Sequence, residues 1–189
     1  MRKTLLLTGP PGVGKTTVLR RVAEALPPTA IGGFFTEEIR AGGQRVGFGI
    51  QTFDGQKATL AHVALHSVHR VGRYKVDTAG LDRIVESTLP PAVSTAAYLI
   101  DEIGKMECLS PRFVAAVERL LDGRSVVVAT VAQRGSGLIA DVKRRADVET
   151  WEVTRANRDG LTAAVLQWLA GRGVPLRSAG PARDPGSRL

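Results

Sequence analysis

The stretch Gly9-Pro10-Pro11-Gly12-Val13-Gly14-Lys15-Thr16 fits the spacing G-x-x-x-x-G-K-[ST]. Its glycines allow successive backbone N–H groups to converge on one cluster of anionic oxygens, where any Cβ would crowd them. Lys15 would bring a point charge to the outer oxygens of a phosphate chain, and the Thr16 hydroxyl is placed to bind Mg²⁺. A helix starting at Lys15 would add the positive end of its dipole. Such a loop needs a second strand ending in a carboxylate beside the metal. Tyr98-Leu99-Ile100-Asp101-Glu102 has that form, with apolar residues to hold a strand in the core and two acids where it emerges. Asp101 is expected to hold the metal through its water shell. Glu102, on the opposite side of the strand, is left to orient or deprotonate an attacking water, a contribution of about 10²–10⁴-fold. Thr130 ends another apolar run; it is a candidate for contact with the γ-phosphate or the water, and an ordinary strand threonine is the equal alternative.

The elements around these residues follow from periodicity. Residues 3–8 read as a strand ending at glycine, and Val18, Leu19, Val22 and Leu26 give the following segment a helical face until Pro27-Pro28. Residues 33–40 and 45–52 flank Ala41-Gly42-Gly43-Gln44 as a β-hairpin, with a second turn at Asp54-Gly55. A hairpin after strand and helix departs from a plain βαβ rhythm, so about 31–60 is expected to be a β insertion. Residues 62–76 read as an irregular loop. Helices are expected at about 79–89, from Ser110-Pro111 to Leu121, at 138–146 and after Thr154; strands are expected at Tyr98–Asp101, Ser125–Thr130 and Val148–Val153. This alternation predicts an α/β fold, a mostly parallel sheet with helices on both faces. One domain over 1–170 is expected, followed by a disordered basic tail at 171–189, rich in Gly, Pro, Arg and Ser.

The 189 residues suffice for one such domain. Leu5-Leu6-Leu7 follows a basic N-terminus but stops at Thr8-Gly9, far short of a signal or membrane segment. With Cys108 as the single cysteine, no internal disulfide can form, and a cytoplasmic, monomeric protein with no membrane partner is expected. The net charge of +8 raises nucleic-acid binding, but no block of five or six like charges occurs, and a triphosphate is itself strongly anionic. Nucleoside triphosphates are the expected partners, with nucleic acid a minor reading.

Four blocks resemble one family. Thr8–Thr17, Gly33-Phe34-Phe35-Thr36-Glu37-Glu38-Ile39-Arg40, Ile100-Asp101-Glu102-Ile103-Gly104-Lys105-Met106-Glu107 and Asn157-Arg158-Asp159 are similar to the cancer-related, thermophile-type nucleoside-triphosphatases, in the same order, over about residues 3–170. The second and third blocks are the more specific. The resemblance implies a RecA-like P-loop core with a β-hairpin insertion and slow hydrolysis of several NTPs to NDP and phosphate. It carries Thr17 with the loop as nucleotide-binding. Ala156 stands where the family's last block has a glutamate, so no role for that glutamate transfers.

Other signals carry less. His62, His66 and His69 lie in the expected loop without cysteine or a nearby acidic pair, and zinc is not expected. Ala41-Gly42-Gly43-Gln44-Arg45 faintly resembles an ABC-transporter signature but is better explained as a hairpin turn. Cys108 is read as packing. Asn157-Arg158-Asp159 is not the N-K-x-D guanine reader; Asn157 or Arg158 are candidates for base or ribose contact, with surface capping the equal alternative. Arg40, Arg73 and Arg145 are candidates for closing over the triphosphate. A nucleotide or nucleoside kinase would share the loop and the metal, but Glu102 directly after Asp101 favours water as acceptor. An NTP-dependent RNA-binding switch would rest on the basic tail alone.

Overall fold

A computed structural model describes residues 2–177 of the chain. Its strands are β1 (Thr4–Thr8), β2 (Ile31–Ala41), β3 (Gln44–Thr52), β4 (Lys57–His62), β5 (Arg70–Val71), β6 (Tyr74–Val76), β7 (Ala97–Ile103), β8 (Val126–Val131) and β9 (Val148–Glu152). Its helices are α1 (Lys15–Glu24), α2 (Thr78–Thr88), α3 (Pro111–Asp122), α4 (Leu138–Arg144) and α5 (Arg158–Ala170). Among the described residues the strands form one nine-stranded sheet in the order β5-β6-β4-β3-β2-β7-β8-β1-β9. From β2 to β9 neighbouring strands are parallel; from β2 to β5 they are antiparallel.

The side-chain period of two explains the layers. Leu5, Leu7, Leu99, Val126 and Val128 face α1 and α5, while Leu6, Tyr98, Ile100, Val127 and Ala129 face α2, α3 and α4. Strands covered on both faces need apolar residues on both, which is why β1, β7 and β8 read as unbroken apolar runs. The strand β8 lies between β1 and β7, the RecA-like order, so the glycine-rich loop and the acidic strand end are one strand apart.

Three expectations need correction. The segment 62–76 is not an irregular loop throughout: β5 and β6 extend the antiparallel part of the sheet to Val76, through pairs such as Ala61 with Val76. Strands of two and three residues carry no detectable alternation, and this pairing is set by β4 and by Ser67 Oγ donating to the Val76 carbonyl (2.7 Å). Conversely, residues 31–34 of the expected insertion pair with β7 and belong to the parallel core. The tail expected from Gly171 begins as packed chain. Arg172 stacks on Trp168 at 3.5 Å, Val174 is buried, and the Arg177 N–H donates to Ala25 O at 2.8 Å. The rest of that expectation, residues 178–189, lies outside the described residues.

Candidate active site

The chain leaves β1 at Thr8 and turns through Gly9, Gly12 and Gly14, whose φ angles of 148°, 72° and 114° lie in the region that L side chains rarely adopt. A Cβ on Gly9 would come within 2.6 Å of Val153 O, so the loop root can sit against the residue that follows β9 only without a side chain. Pro10, Pro11, Gly12 and Thr17 are exposed, Thr16 is half-buried, and Val13 and Lys15 are buried beneath them. Gly14 caps α1 with no side-chain hydrogen bond, and no acid occupies the first turn of the helix. The positive end of α1 is therefore not neutralised from within.

Lys15 is 8% exposed, and its ammonium donates to Gly9 O (3.1 Å) and Pro10 O (3.4 Å). Among the described residues no carboxylate forms an ion pair with it. Burying a cation without a counter-charge is costly. The Lys15 ammonium is left with two backbone carbonyls rather than an ion-pair partner.

The acids stand at the end of β7, where the register with β8 slips between Ile100 and Ile103. Asp101 is 1% exposed. One carboxylate oxygen accepts from Thr130 Oγ1 (2.6 Å), and the other from the Thr36 N–H (3.3 Å) and Thr36 Oγ1 (3.2 Å). Neighbouring β2 and β8 thus hold it from both sides. Thr130 is fully buried and its hydroxyl donates to Asp101, which sets it beside the carboxylate. Its position on an interior strand, one step beyond the Ile100–Ala129 pair, is the reason. Glu102 is only half-buried; burial, the largest effect, raises its pKa, with the Asp101 charge adding to the rise and Lys15 and Lys143 opposing it. The structure therefore brings Glu102 within electrostatic reach of Lys15.

At the other end of the loop, Arg158 Nη1 donates to Val13 O (3.4 Å), and its Cδ lies 3.6 Å from where a Gly14 Cβ would be. Asn157 uses both ends of its amide locally: Oδ1 accepts from Thr154 N (2.8 Å) and Nδ2 donates to Glu152 O (2.8 Å). These contacts tie Asn157 to the turn before α5, and its side chain makes no hydrogen bond to the N-terminus of that helix. Arg40, Arg73 and Arg145 have partners of their own: Glu38 at the hairpin, Arg45 O with Tyr74, and Asp122 with Asp147. The arginine touching the loop is Arg158. Histidines 62, 66 and 69 form no metal-ligand group with other His, Cys, Asp or Glu among the described residues.

Three contributors escaped the sequence reading. Thr36 reaches Asp101 across 65 residues of chain, and Lys143 donates to the carbonyls of Ala132 (2.5 Å) and Gln133 (3.0 Å), fixing the chain just past Thr130. Glu107 is buried next to the acid pair. Thr36 and Glu107 fall inside the two most specific resemblance blocks, which was the available signal. Lys143 had none beyond its place in a short helix.

Comparison with known proteins gives the family of the chain. The model of a family described as NTPase matches residues 4–166. Nucleoside-triphosphatase THEP1 of Thermotoga sp. (strain RQ2) is 40% identical over 166 residues, covering 87% of this chain and 94% of that protein. The cancer-related nucleoside-triphosphatase of Homo sapiens is 34% identical over 182 residues, covering 88% and 96%. The crystal structure of THEP1 from Aquifex aeolicus superposes with a TM-score of 0.80 at 33% identity, over 88% of this chain and 98% of that one. No helix among the described residues is long and apolar enough to cross a membrane. With a family model spanning most of its length and such relatives over nearly their whole length, the chain belongs to the NTPase family, among the THEP1 and cancer-related nucleoside-triphosphatases.

Proposed function

We propose that this protein hydrolyses ATP, GTP, CTP and UTP to the diphosphate and phosphate, slowly, with Mg²⁺ and with broad tolerance of the base. The observation that carries the reading is Lys15: a buried ammonium with no carboxylate ion-pair partner among the described residues, beneath the exposed Pro10-Pro11-Gly12 turn and within electrostatic reach of Glu102. The loop N–H groups and Lys15 would hold the β- and γ-phosphates.

The residues present suit Mg²⁺, which takes oxygen donors and keeps much of its water. Thr16 offers a hydroxyl. Asp101 is fixed by Thr36 and Thr130, and since a carboxylate has about four acceptor sites, one remains for a metal-bound water. Bound there, the ion would offset the charge of the phosphate chain. Glu102, with its pKa raised by burial, is a stronger proton acceptor than an exposed glutamate and would take the proton of the attacking water. Broad base use would follow from the other end, where the Asn157 amide is taken up by its own turn and the surrounding 155–160 segment is exposed.

Phosphate release from each of the four NTPs tests this, with Mg²⁺ or EDTA and with or without added nucleoside monophosphates and RNA. The expected result is Mg²⁺-dependent release from all four, unchanged by the additions. Capture of the γ-phosphate by a monophosphate would assign a kinase instead, and release only with RNA would assign a switch.

A further inference from the structure

Glu107 opens a 3₁₀ turn, Glu107–Leu109, that joins β7 to α3. The turn is held at both ends. The Cys108 N–H donates to Gly104 O (3.0 Å) and the Ser110 N–H to Glu107 O (3.0 Å), while Ser110 Oγ anchors to Asp82 of α2 (2.5 Å). The Glu107 side chain does not leave for solvent. It is 5% exposed, has no ion-pair partner among the described residues, and folds back over Gly104. A Cβ built on Gly104 would lie 2.7 Å from Glu107 Oε2 and 3.6 Å from Glu102 Cγ. Both glutamates thus border the space beside Gly104, and a larger residue there would first have to move the Glu107 carboxyl.

We propose that Glu107 is a positioning residue for hydrolysis: its buried carboxyl, which borders the same space beside Gly104 as the Glu102 side chain, holds Glu102 in the conformation that meets the attacking water. The inference rests on the reading of Glu102 as the proton acceptor. Charge and burial agree with the packing. The carboxylates of Glu102 and Asp101 on β7 face Glu107, Cys108 is beside it, and the cation on its own turn, Lys105, is exposed. Burial, reinforced by those two acids, pushes Glu107 up to about 8, against the backbone N–H groups of Glu107 and Gly104, so it is neutral near pH 7. A neutral carboxyl fills the space behind Glu102 without adding a third negative charge to the metal end. Removing it frees the Glu102 side chain, whereas the phosphate loop, supplied by β1 and α1, is untouched. A misplacement of about 1 Å can cost about 10²-fold in rate.

The test uses the full chain and compares Glu107→Ala, Glu107→Asp, Glu107→Gln, Glu102→Gln and the double variant Glu102→Gln/Glu107→Ala. Read-outs are kcat and KM for Mg²⁺–ATP, titration with a fluorescent ATP analogue, and thermal unfolding. Glu107→Ala is expected to lower kcat by about 10–100-fold while KM and nucleotide affinity stay within about threefold. Glu107→Gln, neutral and of the same shape, should keep kcat within about threefold. The double variant should turn over no more slowly than Glu102→Gln alone, since Glu107 acts through Glu102. Should the alanine protein not fold, Glu107→Asp, which draws the acid back by one methylene, must show the same loss of kcat at unchanged affinity. Parental kcat in Glu107→Ala beside an impaired Glu102→Gln overturns this inference alone, as does a glutamine variant as slow as the alanine one, or additive losses in the double. Parental kcat in Glu102→Gln overturns the proton-acceptor role of Glu102, and this inference with it.

Discussion

The two ends of the candidate site are built differently. At the acid end, Lys15, Asp101, Glu107 and Thr130 are all buried, and the hydrogen bonds around Asp101 come from β2 and β8, strands on either side of β7. At the outer end, Arg155, Ala156, Asn157 and Arg158 are exposed, and the turn before α5 is satisfied by its own Thr154 and Asn157. Electrostatic interactions strengthen as water is excluded, so the same charge does more at the first end than at the second. A site arranged this way should grip phosphates and the metal firmly and the base loosely. Changes at the acid end should be costly, and changes at the outer end mild.

The largest effect is expected for Lys15→Ala, which removes the buried cation. Phosphate release should fall by at least about 10²–10³-fold, together with triphosphate affinity, in a steady-state assay and a nucleotide titration. Hydrolysis at the parental rate would remove the basis of the contrast.

Next comes Thr130→Val, which keeps the shape of an interior β8 residue but deletes the hydroxyl that Asp101 accepts from. A hydrogen bond to a charged group is worth about 1.5–3 kcal/mol, so a loss of about 10–100-fold in kcat/KM is expected, accompanied by a higher Mg²⁺ requirement. An unchanged Mg²⁺ titration would mean that Asp101 needs only Thr36.

A third effect is on stability. Glu107 keeps its proton up to about pH 8 in the folded chain, whereas its ordinary value is 4.5. Between those values the unfolded chain has released a proton that the folded chain retains. The stabilising contribution is complete below pH 4.5 and is lost as pH rises through 8. Glu107→Gln has nothing to titrate there, so urea unfolding should show it gaining on the parent from about pH 4.5 to about pH 8 and holding a constant lead above. Parallel curves would show that Glu107 is not held neutral.

The mildest change is the base itself. ATP, GTP, CTP and UTP should be used within about tenfold of one another, roughly 1.4 kcal/mol. Strict use of one base would show that the outer end reads the base after all.

The acid end was also the more legible from sequence, for a physical reason. A phosphate loop is contiguous, so Gly9–Thr16 carries its chemistry in local spacing, and a buried strand ending in Asp101-Glu102 announces itself by its composition. Parallel strands covered on both faces gave unbroken apolar runs, which is why β1, β7 and β8 were read correctly. What was missed depends on distant partners. The Thr36–Asp101 contact spans 65 residues, β5 and β6 are defined by pairing alone, and Val174 and Arg177 pack near the end of α1 in a segment whose composition suggests none of it. Thr130 was found as a residue but its neighbour was not, because only sheet order puts β8 beside β7.

The proposed hydrolysis depends on water as the acceptor and on Glu102 taking its proton. Its most direct test is a Mg²⁺–nucleotide titration beside a phosphate-release assay on Glu102→Gln, with Asp101→Asn as the contrast. Glu102→Gln should bind Mg²⁺–NTP like the parent, since Thr16 and Asp101 remain, while turnover falls by about 10²–10⁴-fold. Asp101→Asn should instead lose nucleotide affinity and Mg²⁺ dependence together. Parental phosphate release in Glu102→Gln would contradict the account.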